Sequence, residues 1–100
     1  MSDLVVAVSH LLSQDEALRR VQMTLAEAKA QYSENIGELR EAWNAYVGTF
    51  FLSAMSQQTS ATVTVNPSEV TVQMKLPWFA SGFEPVIESK VRDVLNKILA

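Results

Sequence analysis

Residues 59–76 constrain the fold more than any other stretch. Residues 59–65 alternate, with Ala61, Val63 and Val65 on one side and Ser60, Thr62 and Thr64 on the other. Val70, Val72, Met74 and Leu76 then alternate against Thr71, Gln73 and Lys75. Strand side chains point to opposite faces with a period of two, so each run makes a ribbon with one apolar side. Between them Asn66-Pro67-Ser68-Glu69 has turn chemistry: proline presets φ and asparagine takes a local backbone bond. The spacing predicts an antiparallel hairpin, and its apolar side obliges the rest of the chain to cover it.

The cover is written in two helical stripes. Ser13-Gln14-Asp15-Glu16 has capping-box spacing, with the Ser13 hydroxyl accepting from the Glu16 amide and Glu16 reaching back to the Ser13 amide. A helix is predicted over 14–32, with Leu18, Val21, Leu25, Ala28 and Tyr32 as its buried stripe and Glu16–Arg20 as a surface pair. A second helix is expected from about residue 84 to the end, with Pro85 in its first turn. Phe83, Ile87, Val91, Val94 and Ile98 make its stripe, widened by Val86, Leu95 and Leu99. Glu88–Arg92 and Asp93–Lys97 are spaced as i,i+4 pairs on its wet side.

Three more strands complete the order. Residues 4–8 form a Val-rich run without alternation, which predicts a strand covered on both faces or lying mid-sheet. Residues 38–43 alternate loosely around Leu39 and Trp43, Asn44-Ala45 suits a turn, and residues 46–55 read as a long strand. The expected architecture is therefore a single α+β domain over 1–100, ordered β-α-β-β-β-β-α. Its antiparallel meander carries two helices on one face. By analogy of fold alone this is a helix-grip or START-like arrangement.

Composition narrows the function. Eleven Asp and Glu against eight Lys and Arg leave a net charge of -3, without the basic stripe that nucleic acid requires. Cysteine is absent, so thiolate chemistry, disulfides and Cys-based metal sites are excluded. The longest apolar stretch, 42–55, is interrupted and too short to span a bilayer, and 4–8 lacks a basic leader. The expectation is a soluble, cytoplasmic protein with no transmembrane segment.

No residue pattern points to catalysis, a cofactor or a metal. His10 stands alone and reads as a polar loop residue. Only Gly37, Gly48 and Gly82 are present, which cannot build a phosphate loop, and no serine lies in a nucleophile elbow. An enzyme would need Glu38, Glu41 and His10 gathered in a cleft. Two features exceed the needs of a plain core. In residues 50–55, Phe50 and Leu52 face one way while Phe51 and Met55 face the other and need a cover. That cover is a curved sheet's own rim, a subunit interface or an apolar ligand. Leu76-Pro77-Trp78-Phe79, followed by Phe83, is either a plug on the core or a docking patch.

The segment Val70-Thr-Val-Gln-Met-Lys-Leu-Pro-Trp-Phe-Ala-Ser-Gly-Phe-Glu-Pro-Val-Ile, continuing through the last helix, resembles the C-terminal signature of the polyhydroxyalkanoic acid system family. Ser9-His10 followed by Asp15-Glu16-Ala17 and Arg20-Val21 resembles that family's opening, and Trp43 before a turn also fits. The resemblance implies a non-enzymatic bacterial accessory protein of polyhydroxyalkanoate granules, with the granule surface or granule proteins as partners. It brings no catalytic, metal or cofactor residues. Trp78, Phe79 and Phe83, with Phe51 and Met55, are the candidate contacts, because a polyester surface rewards buried apolar area. Two alternatives stand beside it. One is a binder of a small apolar ligand, held between the sheet and the last helix in a cavity lined by Phe50, Leu52, Val72 and Met74. The other is a module that forms a homodimer through its sheet.

Overall fold

The computed structural model describes residues 2–31, 38–54, 57–76 and 82–100. They form β1 (Ser2–Ser9), α1 (Gln14–Gln31), β2 (Glu38–Asn44), β3 (Val47–Ala54), β4 (Gln57–Val65), β5 (Glu69–Leu76) and α2 (Glu84–Ile98). The five strands make one antiparallel sheet in the order β1-β5-β4-β3-β2. The expected α+β architecture and element order are therefore observed. Neighbours in sequence are neighbours in space except for β1: α1 carries the chain from it to β2 at the far edge, and the meander returns until β5 lies beside β1.

Register sorts the sheet into two faces. The inner face carries rows of paired residues that run across the strands. One row is Trp43, Gly48, Val63, Val72 and Val6; the next is Glu41, Phe50, Ala61, Met74 and Leu4. The outer face presents Thr49, Thr62, Thr64, Thr71 and Gln73, which is why it is left without a helix: hydroxyls and amides lose little by staying in water.

The turns follow local chemistry. In the β2–β3 turn, Ala45 sits at φ 55°, in the left-handed region that a Cβ disfavours. The Asn66 amide donates to the Glu69 carbonyl at 2.8 Å and closes the β4–β5 turn. Ser13 caps α1, its hydroxyl accepting from the Glu16 amide at 3.1 Å. The reciprocal half of the capping box differs from expectation. The Glu16 carboxylate instead takes Arg19 (2.6 and 2.9 Å) and Arg20 (2.8 Å), because two guanidinium groups one turn on outbid a single amide. In α2, Pro85 does occupy the first turn, and Phe83 stands at the N-cap without a side-chain cap bond. The pairs Glu88–Arg92 and Asp93–Lys97 do not form among the described residues. Arg92 donates instead to the Ala7 carbonyl on the free edge of β1 at 3.3 Å.

Two further expectations are corrected. β1 is an edge strand, not a central one; Leu4, Val6 and Val8 are buried, while Val5 is 54% exposed on the bare outer face. Its unbroken valine run reflects strand preference, not two-sided cover. On α2 and its C-cap the deepest residues are Leu95 and Leu99, which the stripe had placed at its margin; Phe83 and Val86 are exposed. The helix is thus rolled, so that Val91, Val94 and Ile98 are only half-buried.

Candidate functional site

The core closes at one end of the sheet and opens at the other. At the closed end the start of α1 and the end of α2 meet over Val8, Val65 and Val70, of which Val65 and Val70 are 1% and 0% exposed. Arg20 bridges the helices there, donating to the Ile98 and Ala100 carbonyls at 3.0 and 2.8 Å and so capping the negative end of α2. The Gln14 side-chain amide donates to the Val65 carbonyl at 2.9 Å. His10 lies here, 5% exposed. Its Nδ1 accepts from the Leu12 amide at 3.1 Å, so the proton is on Nε2, which donates to the Asn66 carbonyl at 3.0 Å. Its backbone amide donates to Ser68. His10 thus lies in the β1–α1 loop, as read from the sequence, and it is buried there as a clamp between the start of α1 and the β4–β5 turn.

Toward the other end a cleft of about 390 Å³ runs between the helices and the inner face. Its floor is Phe50, Ala61, Val63, Val72 and Met74, extended by Leu39 and Leu52. One wall is Val21, Leu25, Ala28 and Lys29 of α1, spaced by three and four along the helix; the other is Lys90, Val91, Val94, Leu95 and Ile98 of α2. The space exists because small side chains, Ala28 and Ala61, stand where larger ones would fill it. The floor is dry at Phe50, Val63 and Val72, while the walls are half-buried, so the cleft is reached from solvent.

A polar brace fixes one flank. Lys29 Nζ donates to Glu41 Oε1, and Trp43 Nε1 donates to Glu41 Oε2 at 2.6 Å. The Lys29 bond first, and the Trp43 bond after it, hold the Glu41 carboxyl below the usual carboxylate range. Trp43 then meets Phe50 edge to face, with centroids 5.9 Å apart. Its indole lies flat over Gly48, where a Cβ would come within 2.7 Å of the ring. Glycine is required there by that close approach.

The cleft takes in Phe50, Leu52, Val72 and Met74, the four residues expected to line an apolar cavity. The surface candidates are not gathered in the same way. Phe51 is 55% exposed on the outer face of β3, beside a shallow depression of about 330 Å³ that also holds Arg40, Ser53 and Gln58. Phe83, 60% exposed, begins α2 on the opposite side of the sheet. Met55, Trp78 and Phe79 lie outside the described residues. His10 and Glu41 do not converge, since one is buried at the closed end and the other is bound to Lys29 beside the cleft. Sequence reasoning set such a cavity between the sheet and the last helix, and missed the α1 wall and the lysines. Their signal was present in a helical stripe broader than one sheet face needs, flanked on each helix by a lysine.

Among the described residues no three His, Asp or Glu side chains are close enough to hold a metal ion, and no helix is long and apolar enough to cross a membrane. No curated protein and no solved structure matches the chain. One family model does, over residues 4–99, and its description is "Putative polyhydroxyalkanoic acid system protein". The match covers nearly the whole domain, from the first buried residue of β1 to Leu99 at the cap of α2, and the chain belongs to the polyhydroxyalkanoic acid system family.

Proposed function

We propose that this domain is a non-enzymatic accessory component of a polyhydroxyalkanoate system that holds an apolar hydroxyalkanoate chain in the cleft between its helices and its sheet. The observation that carries the proposal is the cleft itself: about 390 Å³ with an almost wholly hydrocarbon lining, in a domain whose other end is packed tight. Sites for small ligands run from roughly 300 to 1,000 Å³ and are mostly apolar, with few polar groups to orient the occupant. An alkyl side chain gains about 0.8 kcal/mol for each methylene it buries, which is enough to hold a short chain without any covalent step. The family supplies the chemical context, since hydroxyalkanoates are the molecules its name concerns.

The test is retention on polyhydroxyalkanoate-coated beads by the native domain and by Ala28→Phe, which fills the cleft from the α1 wall. Native retention, with loss in a variant that keeps its far-ultraviolet circular dichroism, supports the proposal. Equal retention by the filled variant overturns it. Ala61→Leu fills the same space from the floor and serves if Ala28→Phe does not fold.

A further inference from the structure

We propose that the occupant of the cleft carries a carboxylate, and that Lys90 receives it: the ligand is a free medium-chain acid lying with its alkyl chain between α1 and α2. This rests on the cleft reading given above and adds the head group. Among the described residues two charged ones line the cleft, and both are lysines, one on each helical wall. That is an uneven draw from a chain with eleven acidic and eight basic residues. Lys29 is already committed to Glu41, whose other oxygen takes the Trp43 indole. Lys90 makes no ion pair among the described residues and stands exposed next to Val91, one turn from Val94. Its stem can follow the apolar wall while its ammonium stays at the rim in water.

The other polar groups in the lining are not offered to a ligand in the same way. The Thr24 hydroxyl donates to the Arg20 carbonyl at 2.8 Å, and the Thr59 hydroxyl donates to the Lys75 carbonyl. A neutral ester therefore meets hydrocarbon and, at the mouth, at most a hydrogen bond from the Lys90 ammonium without charge pairing. An acid of the same length meets the same hydrocarbon and a cation at the mouth. The Lys90 charge is solvent-exposed, so the preference is modest, about fivefold in dissociation constant, and falls with added salt.

The experiment compares decanoic acid with methyl decanoate by displacement of a bound apolar dye near neutral pH, on the native domain, on Lys90→Met and on Ala28→Phe. The expected result is tighter binding of the acid to the native domain, loss of that preference in Lys90→Met with ester affinity unchanged, and loss of both ligands in Ala28→Phe. Equal affinities on the native domain, or a preference that survives in Lys90→Met, overturn the head-group assignment and leave the cleft standing. Failure of both compounds to bind the native domain overturns the cleft reading and this proposal with it.

Discussion

The two ends of the molecule share one sheet and two helices but solve opposite problems. At the closed end Val8, Val65 and Val70 are buried with Ala17 and Leu99, and among the described residues no buried side-chain nitrogen or oxygen lacks a partner. At the open end Leu25, Ala28, Leu39, Leu52, Met74 and Val91 are half-buried around a cleft of about 390 Å³. The same strands pass through both, so strand preference does not separate them. The difference comes from side-chain volume and from the helix ends: Arg20 ties α1 to the last carbonyls of α2 at one end, whereas Ala28 and Ala61 leave space at the other. Stability is concentrated where the helices are tied, and the apolar surface left over is where a ligand can act.

The largest expected effect tests that division directly. Leu99→Ala should cost about 3 kcal/mol in chemical denaturation, because it removes a buried side chain from the packed end, away from the cleft. Leu25→Ala, on a half-buried wall already facing open space, should cost about 1 kcal/mol. Equal losses would mean that the two ends are packed alike.

The next pair breaks one brace at each end. His10→Ala strips two buried partners, the Leu12 amide and the Asn66 carbonyl, and should cost about 2 kcal/mol. Gly48→Ala places a Cβ against the Trp43 indole and should cost about 1–2 kcal/mol. It should also perturb Trp43 fluorescence and weaken dye binding in the cleft, which His10→Ala should not. A loss of dye binding in His10→Ala at temperatures where it is still folded would show that the ends are coupled.

These contrasts also mark what could be read from residues alone. The hairpin of β4 and β5 and the floor residues Phe50, Leu52, Val72 and Met74 were legible because a period of two assigns every side chain to a face. The depth of burial along a helix was not. A stripe says which face of α2 meets the sheet, yet the roll that sinks Leu95 and Leu99 and lifts Val91 and Val94 depends on how α2 lies over β1 and α1. Long-range partners were equally hidden: nothing adjacent to His10 announces Asn66, 56 residues away. The run in β1 misled because valine serves both a central strand and an edge.

A smaller effect, with the opposite sign, is expected in the β2–β3 turn beyond the cleft flank. Ala45 is held at φ 55°, where a Cβ meets the following carbonyl. Ala45→Gly relieves that strain at the cost of extra freedom in the unfolded chain, for a net gain of about 0.5 kcal/mol. A loss of stability would mean that the turn is not strained.

The smallest effect is electrostatic and depends on pH. Bonds from Arg19 and then Arg20 hold the Glu16 carboxyl at about 2, down from 4.5. A carboxyl whose pKa is depressed on folding stabilises the native state above its unfolded value, and that contribution is lost as pH falls through the folded value. Native stability should therefore decline between about pH 4.5 and pH 2 in part through Glu16, and Glu16→Gln should decline less steeply across that window. The group is exposed, so salt should shrink the difference. Glu41, lowered by Lys29 at the open end, titrates in the same direction. Its loss should loosen the cleft flank, whereas loss of Glu16 frees Arg20 beside the α2 carbonyls at the closed end. Hydrogen exchange in acid can separate the two: Glu16→Gln should change protection near Ile98, Glu41→Gln near Trp43. If both variants change the same amides, the acid transition belongs to the domain as a whole, and the two ends do not open independently.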